Sequence, residues 1–184
     1  MLGAEAVLPD GWVELDIIRN EAAWNFVYDV LKFRPSMNPA SWPGIVEPTD
    51  SETYSVGHVY GEPERYRMLT SDLSERLVDA LRWCCDDGEH ILALEWQHLC
   101  YRFDPKSAFK YRSERDWPMP ALPNGDYCIF LASDFRFGWF GHPWEQTICI
   151  FGGRLLAALA NRPPALFDRM QRERGHPVPG FIPK

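Results

Sequence analysis

Hydrophobic positions along the chain switch repeatedly between the helical and the extended period. In residues 20–32, Trp24, Val27, Tyr28 and Leu31 recur at i, i+3, i+4 and i+7, and Asn20 can cap the helix that carries them on one face. Residues 71–85 predict a second helix, with Asp72 and Glu75 spaced as a capping box and Leu73, Leu77, Leu81 and Cys84 as its buried stripe. Residues 52–60 alternate instead, with Tyr54, Val56, His58 and Tyr60 on one face, as a strand does. Residues 91–103 read as one long central strand, dividing Leu92, Leu94, Trp96, His98 and Cys100 from Ala93, Glu95, Gln97, Leu99 and Tyr101.

Residues 127–132 and 146–151 are apolar on both faces, and the short connection between them leaves no room for a helical crossover. They are expected to pair antiparallel, which argues against a parallel α/β sheet. Gly152 and Gly153 allow a tight exit into a helix over 153–161, and Pro163 and Pro164 can start a last helix over 165–174. Proline-rich stretches at 34–49 and 104–124 are long loops, the second closed by the Asn124-Gly125 turn. The expected fold is therefore α+β: a mostly antiparallel sheet of four or five strands carrying about four helices. Residues 1–19 read as an N-terminal arm, with 12–18 a short strand or anchor, residues 20–174 as one domain, and residues 175–184 as a proline-rich tail.

Composition adjusts this picture in three ways. At 184 residues and 46% hydrophobic, the chain can bury a full core without staples. The five cysteines, four of them inside apolar runs and none in a CxxC pair, read as reduced buried thiols, so the expected compartment is the cytoplasm. The net charge of −7 is uneven: residues 1–100 hold 18 acidic and 7 basic side chains, residues 101–184 hold 8 and 12. An acidic surface repels phosphate backbones, which disfavours nucleic acid as a partner. The N-terminus lacks a secretory pattern, and no run approaches the roughly 20 apolar residues of a membrane helix.

Candidate chemistry gathers in residues 133–144, where Phe135, Phe137, Trp139, Phe140 and Trp144 alternate with Asp134 and Arg136. The rings either fold back as a lid on the core or wall a ligand pocket, for which Trp139, Phe140, Trp144, Arg136 and Asp134 are the binding candidates. His142 is held between Gly141 and Pro143, which suits either proton transfer or a hydrogen-bond bridge between loops. His98 should be at least half buried, with Asp126 or Glu145 among its possible partners. If His98, His142 and a carboxylate meet, they form a general acid–base cluster or a metal site; Glu95 is a further carboxylate candidate. No phosphate loop, nucleophile motif or metal-ligand spacing is present, and no cofactor is expected.

The segments WNFVYDVLKFRPS, SETYSV, LEWQHLCYRFDP and LPNGDYCIFLASDFRFGWFGHPWEQTICIFGGRLL together resemble the bacterial proteins catalogued as domain of unknown function 2716. The resemblance implies a bacterial, cytosolic, single-domain protein and supplies no catalytic residues. Two functions stand. The first is a compact binding protein that engages a protein partner, a neutralised toxin among the options, through its acidic surface and aromatics. The second is a small-molecule enzyme or ligand-binding protein with an aromatic pocket, in which His142, His98, Asp126 or Glu145 moves a proton.

Overall fold

The computed structural model describes residues 8, 11–107 and 117–181. Its strands are β1 (Trp12–Glu14), β2 (Ser51–Ser55), β3 (Ile91–Glu95), β4 (Tyr101–Phe103), β5 (Cys128–Ala132), β6 (Gly138–His142), β7 (Thr147–Phe151), β8 (Met170–Glu173) and β9 (His176–Pro177). They form one sheet in the order β1-β4-β3-β5-β6-β7-β2-β8-β9, and every neighbouring pair is antiparallel. Three α-helices stand among the described residues: α1 (Ile17–Asp29), α2 (Pro63–Cys84) and α3 (Gly153–Asn161). The protein is therefore mostly β, with nine strands in place of the four or five expected and three helices in place of about four.

Each departure has a local cause. The expected helix at 165–174 is a turn followed by β8, because long-range partners take its backbone: Ser55 N donates to Arg169 O, and Ala165 N donates to the Asp72 carboxylate. Its apolar spacing instead serves Phe167, whose ring stacks on Tyr54 at 4.4 Å. Asp72 is thus occupied mid-helix and caps nothing; α2 starts at Pro63, where proline's missing N–H costs the first turn no bond. The cap of α1 is Asp16 rather than Asn20, its side chain accepting from Arg19 N. The single strand expected over 91–103 is broken into β3 and β4 by a turn at 96–100, and β2 stops at Ser55, five residues short of the expected end. Residues 127–132 and 146–151 do not pair with each other, because β6 lies between β5 and β7.

Strands β5, β6 and β7 are buried at every position. Side-chain alternation sorts them into two cores. Cys128, Phe130, Trp139, Ile148 and Ile150 pack with α2 and α3, whereas Ile129, Leu131, Phe140, Cys149 and Phe151 pack with Ala23 and Val27 of α1 and with Leu31, Phe33 and Ile45. The second face is covered largely by irregular chain, which Val46 N closes by donating to Leu31 O and Arg34 N by donating to Gly44 O.

At the exit from β7, Gly152 has φ of 92° and its Cα faces the Phe137 side chain. A Cβ there would stand 2.6 Å from Arg136 O, a backbone atom that cannot swing aside. Gly152→Ala is expected to destabilise the fold by about 2 kcal/mol or more in urea denaturation; a change below about 0.5 kcal/mol would show that this exit tolerates a side chain.

Candidate functional site

The end of β3 and the start of β5 converge on a cleft of about 560 Å³. β3 ends at Glu95, which sits opposite Cys128 at the start of β5, so the residues before Cys128 reach the turn at 96–100. Asp126 holds that turn. Its Oδ2 accepts from Gln97 N and meets His98 Nδ1, both at 3.1 Å, while its Oδ1 accepts from Tyr127 N at 2.7 Å. Glu95 Oε2 lies 3.5 Å from the same His98 nitrogen. The two carboxylates and the imidazole form the floor of the cleft, with Trp96 and Trp144 beside them and Ser36 and Met37 on the facing loop.

The floor is polar but unevenly solvated. The His98 side chain is 62% exposed, against 19% for Glu95 and 10% for Asp126. The expectation that His98 is half buried therefore fails, because the turn lifts it off the strand face assigned to it. Burial raises the Glu95 carboxyl above its ordinary value, the facing His98 opposes this, and Asp126 adds to it. With Nδ1 assigned from this contact as the donor to Asp126, Nε2 is the acceptor nitrogen of the neutral His98 ring. Glu95, His98 and Asp126 are also the one group of three or more possible metal-ligating side chains among the described residues, their ligating atoms all within 4.8 Å of one another.

His142 takes no part in this. It is fully buried, its Nδ1 accepts from Glu145 N at 3.0 Å, and its Nε2 lies 3.4 Å from the Tyr127 hydroxyl. Because Nδ1 is an acceptor, the neutral ring carries its proton on Nε2, assigned from these bonds. The Tyr127 hydroxyl accepts from Ser36 N at 2.9 Å, which ties the loop wall to the interior. His98 and His142 thus bind neighbouring residues, Asp126 and Tyr127, and share no partner. The four acid–base candidates split into a cleft pair, His98 and Asp126, and an interior pair, His142 and Glu145.

The Glu145 carboxylate is committed elsewhere. It receives Arg172 Nη1 at 2.6 Å and Nη2 at 2.9 Å, Thr147 Oγ1 at 2.9 Å and Gln171 Nε2 at 2.9 Å. Arg172 Nε also donates to Glu47 Oε1 at 2.9 Å, where Thr53 Oγ1 donates at 2.8 Å. These three charged side chains are at most 11% exposed, so Glu145 is part of a buried ion cluster.

Of the five ligand-binding candidates, only Trp144 lines the cleft. Trp139 and Phe140 are core on opposite faces of the sheet, with Trp139 Nε1 donating to Ala121 O at 3.1 Å. Arg136 and Asp134 lie at the other end of β5, where Arg136 ties the β5–β6 turn to Glu89 and to Cys84 O. Trp96, Tyr127, Ser36 and Met37 were not singled out by sequence, since the turn that carries Trp96 depends on Asp126 and the loop that carries Ser36 and Met37 is held by the Tyr127 hydroxyl.

Comparison with known proteins places no activity on this arrangement. Residues 14–156 match the family described as "Protein of unknown function (DUF2716)". The uncharacterized protein YxiI of Bacillus subtilis (strain 168) is 30% identical over 159 residues, which is 85% of this chain and 96% of the relative. No solved structure matches. Among the described residues, no helix is long and apolar enough to cross a membrane.

Burial pushes the His142 imidazole down from 6.5 to about 4, a shift that nearby Glu145 opposes. The unfolded chain protonates this ring near 6.5 while the folded chain keeps it neutral to about 4, so the unfolded state binds the extra proton between those values. Its contribution is full above pH 6.5 and is lost as pH falls toward 4, on the order of 3 kcal/mol. His142→Asn, which keeps an acceptor for Glu145 N, should narrow the stability difference between about pH 7.5 and about pH 4.5 in urea denaturation. An unchanged difference would show that His142 is not held neutral.

Proposed function

The chain belongs to the DUF2716 family, whose description states no activity, and we propose from its cleft that it is a binding protein that takes a ligand through a positively charged group. One observation carries this reading. The cleft has two carboxylates and an imidazole in its floor and two tryptophans in its walls, and among the described residues no lysine or arginine lines it. Carboxylates supply opposite charge and indole faces supply cation–π attraction, so the lining favours an ammonium, a guanidinium or another cation over an anion.

The partner-binding reading shares this floor, since a basic side chain of another protein would fit the same chemistry. It is favoured by apolar surface at the start of α1, where Ile17 and Ile18 are 77% and 80% exposed. Leu99 is 57% exposed, and Leu15 N, donating to Cys100 O, brings its turn beside that surface. A neutralised toxin with a basic contact is one such partner. Proton transfer by His98 stands behind both readings, because it adds a requirement for a substrate held at Nε2.

Tryptophan fluorescence titrated with agmatine and with tetramethylammonium tests the proposal. Saturable change with at least one probe is expected, weakened about tenfold by Glu95→Gln and by Trp144→Ala. No saturable change with either probe, or change that both variants leave intact, would remove the cleft as a site for an organic cation.

A further inference from the structure

We propose that the floor of this cleft is a site for one divalent first-row transition-metal ion of the zinc class, held by Glu95, His98 and Asp126. The inference rests on the cleft being the protein's ligand site and names the cation it takes. Two ligands each about 2.1 Å from one metal, at angles between about 90° and 110°, stand about 3.0–3.5 Å apart. His98 Nδ1 stands 3.1 Å from Asp126 Oδ2 and 3.5 Å from Glu95 Oε2, both consistent with that separation. All three ligating atoms lie within 4.8 Å of one another, and an ion draws the two carboxylates in to bonding distance.

The donor set speaks to the kind of ion. An imidazole nitrogen beside two carboxylate oxygens is a borderline set, suited to zinc, manganese, iron or cobalt; calcium asks for six or more oxygens, and cuprous copper for sulfur. The imidazole also separates a metal from an organic ammonium, which would gain from the carboxylates alone. Asp126 is already oriented by two backbone N–H groups, Gln97 and Tyr127, as metal-binding carboxylates commonly are. Glu95 and Asp126 stand at the ends of β3 and before β5, so paired strands fix their spacing.

Three protein donors leave coordination positions open toward the cleft between Trp96 and Trp144. Binding displaces the Nδ1 proton of His98 to solvent, and the nitrogen lone pair goes to the metal. Water or a donor atom of a small ligand then completes the coordination shell from the cleft side.

Calorimetric titration of the chelator-treated full chain with zinc chloride tests this, with calcium chloride and agmatine titrated in parallel. One zinc per chain is expected, with affinity at least about tenfold lower in His98→Ala and in Glu95→Gln. His176→Ala, which removes an exposed histidine on β9, should leave it unchanged. Calcium should bind at least about a hundredfold more weakly than zinc. Because the His98 side chain is largely exposed, His98→Ala should keep the wild-type circular dichroism spectrum, and Glu95→Gln provides a second, independent variant. Zinc binding that survives both floor variants, or that is lost in His176→Ala, would overturn the proposal. If agmatine binds and zinc does not, the cleft keeps its role and the metal site falls; if neither binds, both readings fall.

Discussion

The two-sided burial of β5, β6 and β7 is the constraint on which the rest of the molecule depends. Fifteen consecutive strand positions in three runs are closed to water, so both faces of the sheet centre must be covered. Helices α2 and α3 cover one face. The other receives one helix and a run of irregular chain, whose polar backbone must then be satisfied by bonds of its own. The Leu31–Val46 and Arg34–Gly44 bonds do this within the segment, and the Ser36–Tyr127 bond does it against the sheet. No position within β5, β6 or β7 is open to water, so the cleft forms beyond the strand ends.

The Glu47–Arg172–Glu145 cluster closes the same assembly from the side. Glu47 belongs to the irregular cover, Glu145 to the turn between β6 and β7, and Arg172 to the late strand β8, so one guanidinium joins three distant parts of the chain. Desolvating such charges is expensive, and the pairing with extra hydrogen bonds from Thr53, Thr147 and Gln171 offsets that cost rather than making the cluster a source of large net stability. Its structural effect is to tie a strand arriving late in the sequence to two earlier parts of the chain: with β8 paired beside β2, Arg172 reaches both Glu47 and Glu145, although Glu47 Oε2 is left buried without a hydrogen-bond partner among the described residues.

How far the sequence revealed this depends on the range of the interactions involved. The doubly apolar runs at 127–132 and 146–151 and the helix after Gly152 follow from local period, and the structure contains each of them; of the stripe expected over 20–32, Val27 is buried on α1, whereas Tyr28 is exposed and Leu31 lies beyond the helix end at Asp29. Strand β6 was hidden because Gly138, Gly141 and His142 gave it the composition of a loop. Those glycines are small for a packing reason: a Cβ at Gly138 would meet Leu131 and Phe151, and one at Gly141 would meet Cys128 and Pro123. Strand β8 was hidden because its partner β2 lies more than a hundred residues earlier. At the site, His98, Asp126, Trp144 and Glu95 were legible as chemistry-bearing types. Their convergence was not, because the reversal at 96–100 is held by a carboxylate 29 residues beyond Gln97.

The cleft is built from two kinds of material. Its floor stands on paired strand ends, whereas the facing wall, Ser36 and Met37, belongs to a loop pinched shut by Arg34 and Gly44 and anchored through Ser36 to Tyr127. Insertions or replacements at the tip of that loop, around Met37, alter the depth and shape of the cleft without disturbing the strand pairing that spaces Glu95 from Asp126. The wall can therefore change in length and shape while the charged floor keeps its spacing, because loop and strand pairing are held by separate bonds.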